Sequence, residues 1–309
     1  MPRTDWQRAR LKSLLKEVRE RIGETYGEIA DLTEDEYRGL VQVTTDGIIS
    51  AVNDAVGASL LVAPKWTAEQ LAEIAGDALI QGAPNAEWWA RQSVAFQQYF
   101  ADQIRMGMLR GETVDQLRDR ILPRVDLRTV APESRPAIWT ARRNAEALVR
   151  TATMTVSNQA HLASYLENSD IIDSLQWVAT LDGRTCLSCA SMDLKQWKLG
   201  KAHQTPPLHW NCRCSVVPIT KTWEQLLGKK SLAKELDAMA PGMRASMGGQ
   251  VSADTTYEGW FADQKASRQK EILGQKRYEL YQRGQLKLAE MVDGKGSPLT
   301  LEQLREKRK

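Results

Sequence analysis

Cys186, Cys189, Cys212 and Cys214 are all the cysteines of this 309-residue chain, and they fall within 29 residues that also hold two of its three histidines, His203 and His209. The pair Cys186-x-x-Cys189 sets two sulfurs on one tight turn, where both can point at a single centre. Asp182-Gly183 lies just before it and favours the chain reversal that such a turn requires. The second half of the pattern is His209-x-x-Cys212-x-Cys214. Cys186, Cys189, His209, Cys212 and Cys214 are therefore five candidate metal ligands for four tetrahedral positions, with one of His209, Cys212 and Cys214 in excess. The expected ion is structural zinc, which contributes on the order of 10–16 kcal/mol in small modules. A small β-containing insert with little core of its own needs such a contribution.

Other chemistries fit these residues less well. Two disulfides require an oxidising compartment, and Cys212-x-Cys214 is too short for an easy internal bridge. The N-terminus "MPRTDWQRARLKSLLKEVRE" lacks the apolar stretch of a secretory signal, so synthesis in a reducing cytoplasm is expected. A Cys–His nucleophile needs one thiol, one base and an orienting group, for which four clustered cysteines are a poor design. A metal-dependent nuclease needs further histidines, and only His161, inside a helical pattern, and His203 remain. Neither GxxxxGK[ST] nor GxGxxG occurs. No catalytic residue and no small-molecule substrate or organic cofactor is expected; the chain reads as a non-enzyme.

The elements that must position this segment are mostly helical. Leu11, Leu14, Leu15, Val18 and Ile22 recur at three- and four-residue spacing over residues 5–22. Thr67 with Gln70 and Thr113 with Gln116 have the capping-box relation, and helices are expected to near Gly82, over 86–111 and beyond Thr113. Three prolines across 122–136 predict a connection. Ala141, Ala145, Leu148, Val149, Ala152, Val156, Ala160 and Ala163 predict a helix over 138–166 with one packed face. The period then changes: Leu175, Trp177, Ala179 and Leu181 alternate with Gln176, Val178 and Thr180, a strand running into the cysteine segment, with "CSVVPI" as its partner. Beyond it, 222–239 reads as helix, 240–256 as a glycine-rich loop, 257–292 as mostly helix, and Thr300 with Gln303 starts a last short helix. The expected fold class is mainly α with a small zinc-stapled β-containing insert (α+β) and extended helical arms. The expected divisions are 1–130 (N-terminal helices), 131–221 (the Cys/His core) and 222–309 (C-terminal helices with a basic tail).

Hydrophobic residues make up 42% and charged residues 26% of the chain, the composition of a globular protein. No apolar run is long enough to span a bilayer, so no membrane partner is expected. Net charge is +3, but residues 265–309 carry 12 Lys or Arg against 6 Asp or Glu, leaving the remainder at −3. Such a tail suits contact with DNA or an acidic surface, or is simply a solvated helix face.

The stretch "TLDGRTCLSC", a short spacer and "PPLHWNCRC" resemble the signature of the phage Mu F-like minor head proteins, the head morphogenesis family of tailed bacteriophages. Thr180, Asp182, Thr185, Cys186, Cys189, Pro207, His209, Asn211, Cys212, Arg213 and Cys214 carry the match, and "ILGQKRYELYQRG" and "PLTLEQL" extend it to roughly 138–304. The resemblance implies a virion assembly protein: a minor capsid component of the phage head, made in the host cytoplasm. It would contact the portal protein, the major capsid protein or both during procapsid building. Within that reading Asp182 and Gly183 shape the turn, Asn211 bonds the knuckle backbone, and Arg213 turns to Asp182 or to a partner. The alternative is a DNA-binding or DNA-processing protein acting during packaging or injection.

Overall fold

A computed structural model of the chain describes residues 5–113, 116, 137–227, 242–284, 286–294 and 296–307. The connection expected across 122–136, most of the helix expected after Thr113, the helix expected past Leu227 and the last two residues lie outside these. The described residues are mainly helical with two small sheets. None of their helices is long and apolar enough to cross a membrane.

Two compact units are present, Met1–Val41 with Thr67–Val156, and Gln42–Trp66 with Ser157–Lys309. The first helix, α1 (Asp5–Val56), runs far past the expected 5–22 and contributes to both. In the first unit it is joined by α2 (Ala68–Gly76), α3 (Asn85–Leu109) and the start of α4 (Ala137–Glu167). Thr67 and Gln70 form the predicted capping box on α2, which stops at Gly76 short of the expected Gly82. Thr113 and Gln116 exchange the same pair of bonds. Thr33 on α1 accepts from Asn85 Nδ2 (2.9 Å) and Trp89 Nε1 (3.0 Å), so one hydroxyl satisfies the start of α3. Leu148, Ala152, Val156 and Ala160 form the buried face of α4 as expected, whereas Val149 is exposed: it lies one residue off that stripe.

The second unit holds the cysteine segment. Strand β1 (Ile172–Val178) is the centre of a three-stranded antiparallel sheet in the order β2-β1-β3, with β2 Gln196–Lys198 and β3 Ser215–Thr220. Leu175 and Trp177 are fully buried, the alternation that predicted the strand. Tyr165, Leu175, Ile172, Val216 and Ile49 pack into one core on this sheet. A short helix α5 (Leu187–Met192) follows the turn at Asp182, and α6 (Trp223–Leu227) follows β3.

Residues 240–256, expected as a glycine-rich loop, contain instead a hairpin, β4 (Met243–Ser246) with β5 (Gly249–Ser252). Gly242, Gly248 and Gly249 weakened the strand pattern, and what holds the hairpin is distant in sequence: Ser246 bridges to Leu181, and Met247 N donates to Leu181 O at 2.9 Å. Three helices, α7 (Tyr257–Ala262), α8 (Ala266–Leu273) and α9 (Gln275–Gln282), then pack with a 3₁₀ turn at Leu288–Met291 and α10 (Leu301–Glu306) around Tyr257, Phe261, Tyr278, Met291 and Leu304. Thr300 and Gln303 cap α10 as predicted. Several cations of the basic stretch have partners inside the unit. Arg268 pairs with Glu271 at 2.8 Å, Arg277 donates to Leu299 O, and Lys307 to Glu290 O.

Candidate metal centre

The end of β1, the first turn of α5 and the loop before β3 bring the five predicted ligands together. Cys186 is the N-cap residue of α5, and its sulfur accepts from Cys189 N at 3.4 Å, so the helix start fixes the geometry of the Cys-x-x-Cys pair. The other donors come from a turn closed by Cys212 N donating to His209 O at 3.2 Å, with Asn211 in the left-handed region at φ 59°. That conformation is open to asparagine at little cost, which accounts for its place between His209 and Cys212.

His209 Nε2 lies 3.3 Å from both Cys186 Sγ and Cys189 Sγ, and Cys189 Sγ lies 3.7 Å from Cys212 Sγ. An ion held tetrahedrally at about 2.3 Å from sulfur requires sulfurs about 3.8 Å apart, so the Cys189–Cys212 edge already has the right length. The opposite ring nitrogen, Nδ1, faces Trp210 O at 2.9 Å. With Nδ1 donating there, Nε2 is the nitrogen that would face a bound ion. By mutual distance the donors form two triangles, Cys186–Cys189–His209 and Cys189–Cys212–Cys214, each within 4.8 Å and sharing Cys189. The cluster can hold a metal ion.

Its electrostatics are those of donors competing for protons. Hydrogen bonds from Cys189 and His209 pull the Cys186 thiol down to about 4, and the bond with Cys186 pushes His209 up to about 11. Cys212 is lowered by bonds from Cys189 and Cys214, while Cys189 is raised, first by Cys186 and then by Cys212 and Cys214. Against a lowering bond with Cys189, the bond with Cys212 and burial push Cys214 up to about 12. Protons on His209, Cys189 and Cys214 thus neutralise the crowded sulfurs, and a bound cation would do the same by displacing them.

A second layer of bonds holds this arrangement, and most of the signature residues are in it. Asp182 Oδ1 accepts from Arg184 N at 2.9 Å, closing the turn, and Asp182 takes both guanidinium nitrogens of Arg213. Arg213 therefore turns inward to Asp182. Thr180 Oγ1 donates to Arg213 O at 3.0 Å, and Thr185 Oγ1 donates to Thr180 O at 2.5 Å.

Asp193 and Arg244 belong to no motif of the sequence. Asp193 ends α5, and its side chain is 1% exposed. It accepts from Ala179 N (2.8 Å), Tyr257 N (2.7 Å) and both Nη atoms of Arg244 (3.0 and 3.1 Å). Arg244 also donates to Thr255 O, which ties β4, the start of α7 and the cysteine segment to one buried carboxylate. The two partners lie 51 residues apart, Asp193 at the end of α5 and Arg244 on a hairpin expected as loop, so no local spacing marks them.

The remaining histidines lie outside the cluster. His203 packs against Trp197 in a tilted arrangement with ring centroids 4.5 Å apart, and its Nδ1 lies 2.6 Å from Lys201 O. His161 stacks on Tyr165 and lies 3.4 Å from Ser215 Oγ, and burial lowers it to about 4.

Residues 98–217 match the family described as Phage Mu protein F like protein. The matched stretch contains every residue of the Cys/His cluster, begins at α3 upstream of the expected 138 and stops within β3, so the C-terminal likeness lies beyond it. No curated protein and no solved structure matches the chain.

Asp182 supplies a pH test. The Arg213 guanidinium holds its carboxyl at about 2, below its unfolded value, so its contribution is complete above about pH 4 and lost as pH falls through about 2. With Arg213 partly exposed, the contribution is on the order of 1–2 kcal/mol. Asp182→Asn is expected to melt below the parent from pH 5 to 7, with the gap closing towards pH 2; a gap independent of pH contradicts the assignment.

Proposed function

We propose that this chain is a structural protein of tailed-phage head assembly, in which a zinc-stapled knuckle is a rigid docking element and the helices contact the portal protein, the inner wall of the capsid, or both. The observation that carries the reading is the family match over the stretch that builds the knuckle. The polar bonds around the cluster support a structural role over a catalytic one. Thr180, Asp182, Thr185 and Arg213 are engaged with one another and with the backbone that presents the ligands. The chain is read as a non-enzyme of the virion.

Zinc is the ion the donor set fits best: three thiolates and one imidazole, with the non-ligating ring nitrogen bonded to a carbonyl. Cys186, Cys189, His209 and Cys212 are the proposed ligands, which leaves Cys214 as the donor in excess. Bound zinc would supply the charge that the protons otherwise provide, and it would lock the turn at Asp182 to the turn at Asn211. The basic stretch 265–309 would lie towards other head components or packaged DNA; DNA binding insensitive to salt would remove the DNA contact.

Two outcomes are expected. Quantitative mass spectrometry of purified virions or procapsids finds the chain in the head at low copy number relative to the major capsid protein; its absence from both particles contradicts the reading. A strong zinc chelator under reducing conditions abolishes the cooperative melting of the knuckle, since structural zinc is worth on the order of 10 kcal/mol in small modules. Zinc-free protein with an unchanged melt removes the staple.

A further inference from the structure

One zinc does not account for the donor set. Cys214 is 3% exposed, against 1% for Cys189 and 2% for Cys212, so the donor in excess is not a surface thiol. It is packed with these two sulfurs against the fully buried Trp177 and Ala179. Its triangle with Cys189 and Cys212 has all three sulfurs within 4.8 Å, and three thiolates around an ion at about 2.3 Å would stand about 4 Å apart. The two triangles share Cys189 and differ in kind: one includes an imidazole nitrogen, and the other is all sulfur.

Resting on the metal reading above, we infer that the knuckle holds two metal ions. The first ion is bound by Cys186, Cys189, His209 and Cys212. The second, a thiophilic d¹⁰ cation such as Zn²⁺ or Cu⁺, is bound by Cys189, Cys212 and Cys214, with Cys189 and Cys212 bridging. The all-sulfur triangle suits a soft ion, for which thiolate is the preferred ligand. Charge favours it too. Were every cysteine ionised, the four sulfurs would carry −4 and one divalent ion would leave −2, on three buried residues and the half-buried Cys186. Arg213, the guanidinium nearest in sequence, is engaged by Asp182. A second divalent ion brings the thiolates to neutrality, and a monovalent one to −1. As it binds, Cys214 forms a metal–sulfur bond and its proton leaves to solvent.

The test is metal stoichiometry on the full chain. Reduced, metal-free protein is titrated with Zn²⁺, and separately with Cu⁺ in a competing buffer, and bound ions are counted by native mass spectrometry. Two ions per chain are expected, at least one of the two metals filling the second position. Cys214→Ser and Cys214→Ala are each expected to hold one ion, and the retained ion shows that the knuckle still folds. One ion in the parent protein overturns the second site and leaves the zinc staple standing, whereas no ion overturns both. Two ions in both variants place the second ion elsewhere, and no ion in either makes Cys214 a ligand of the first ion; each of these results overturns the inference.

Discussion

Cys186, Cys189, Cys212 and the ring nitrogen of His209 make contacts of 3.3–3.7 Å, which shared protons or a cation among them can hold. Protons do this in part, by keeping His209 charged and Cys189 and Cys214 neutral, but they hold no geometry. A metal ion does both, and the surrounding structure makes sense as the support for one. The helix start at Cys186 and the left-handed turn at Asn211 are separate pieces of chain, and between them they supply two donor triangles that meet at one point, Cys189.

Two carboxylates carry that point into the rest of the unit. Asp182 works locally, joining the turn before Cys186 to the arginine between Cys212 and Cys214, so both halves of the ligand set move together. Asp193 works at long range, binding the end of α5 to β4 and to the start of α7. Leaving a buried charge without its partner is strongly destabilising. The C-terminal helices therefore act as the outer wall of the knuckle: Tyr257, the first residue of α7, donates its hydroxyl to Asp182 O while its backbone caps onto Asp193. This gives the second unit a stiff centre, which suits the docking role proposed for it.

Local chemistry was readable from the chain and long-range chemistry was not. The Cys-x-x-Cys turn, the Thr67, Thr113 and Thr300 capping boxes and the alternation through Leu175 and Trp177 each depend on residues a few positions apart, and each stands in the fold. Inward pairing of Arg213 was one of two options, decided only once the fold brought Asp182 opposite it. The hairpin at 243–252 looks like a loop in the sequence because its glycines outweigh its strand formers, and its stability comes from Leu181 and from Arg244 reaching Asp193. The length of α1 was missed for a related reason. Polar residues interrupt the apolar stripe after Ile22, and its continuation rests on tertiary bonds such as those from Asn85 and Trp89 to Thr33.

The central claim is that a thiolate-bound zinc organises this knuckle, and X-ray absorption at the zinc edge of protein purified without added metal reads it directly. The account predicts zinc in the sample with a sulfur-dominated shell at about 2.3 Å and a nitrogen contribution at about 2.0–2.1 Å from an imidazole. A shell of oxygen and nitrogen without sulfur, or a sample free of zinc, contradicts it.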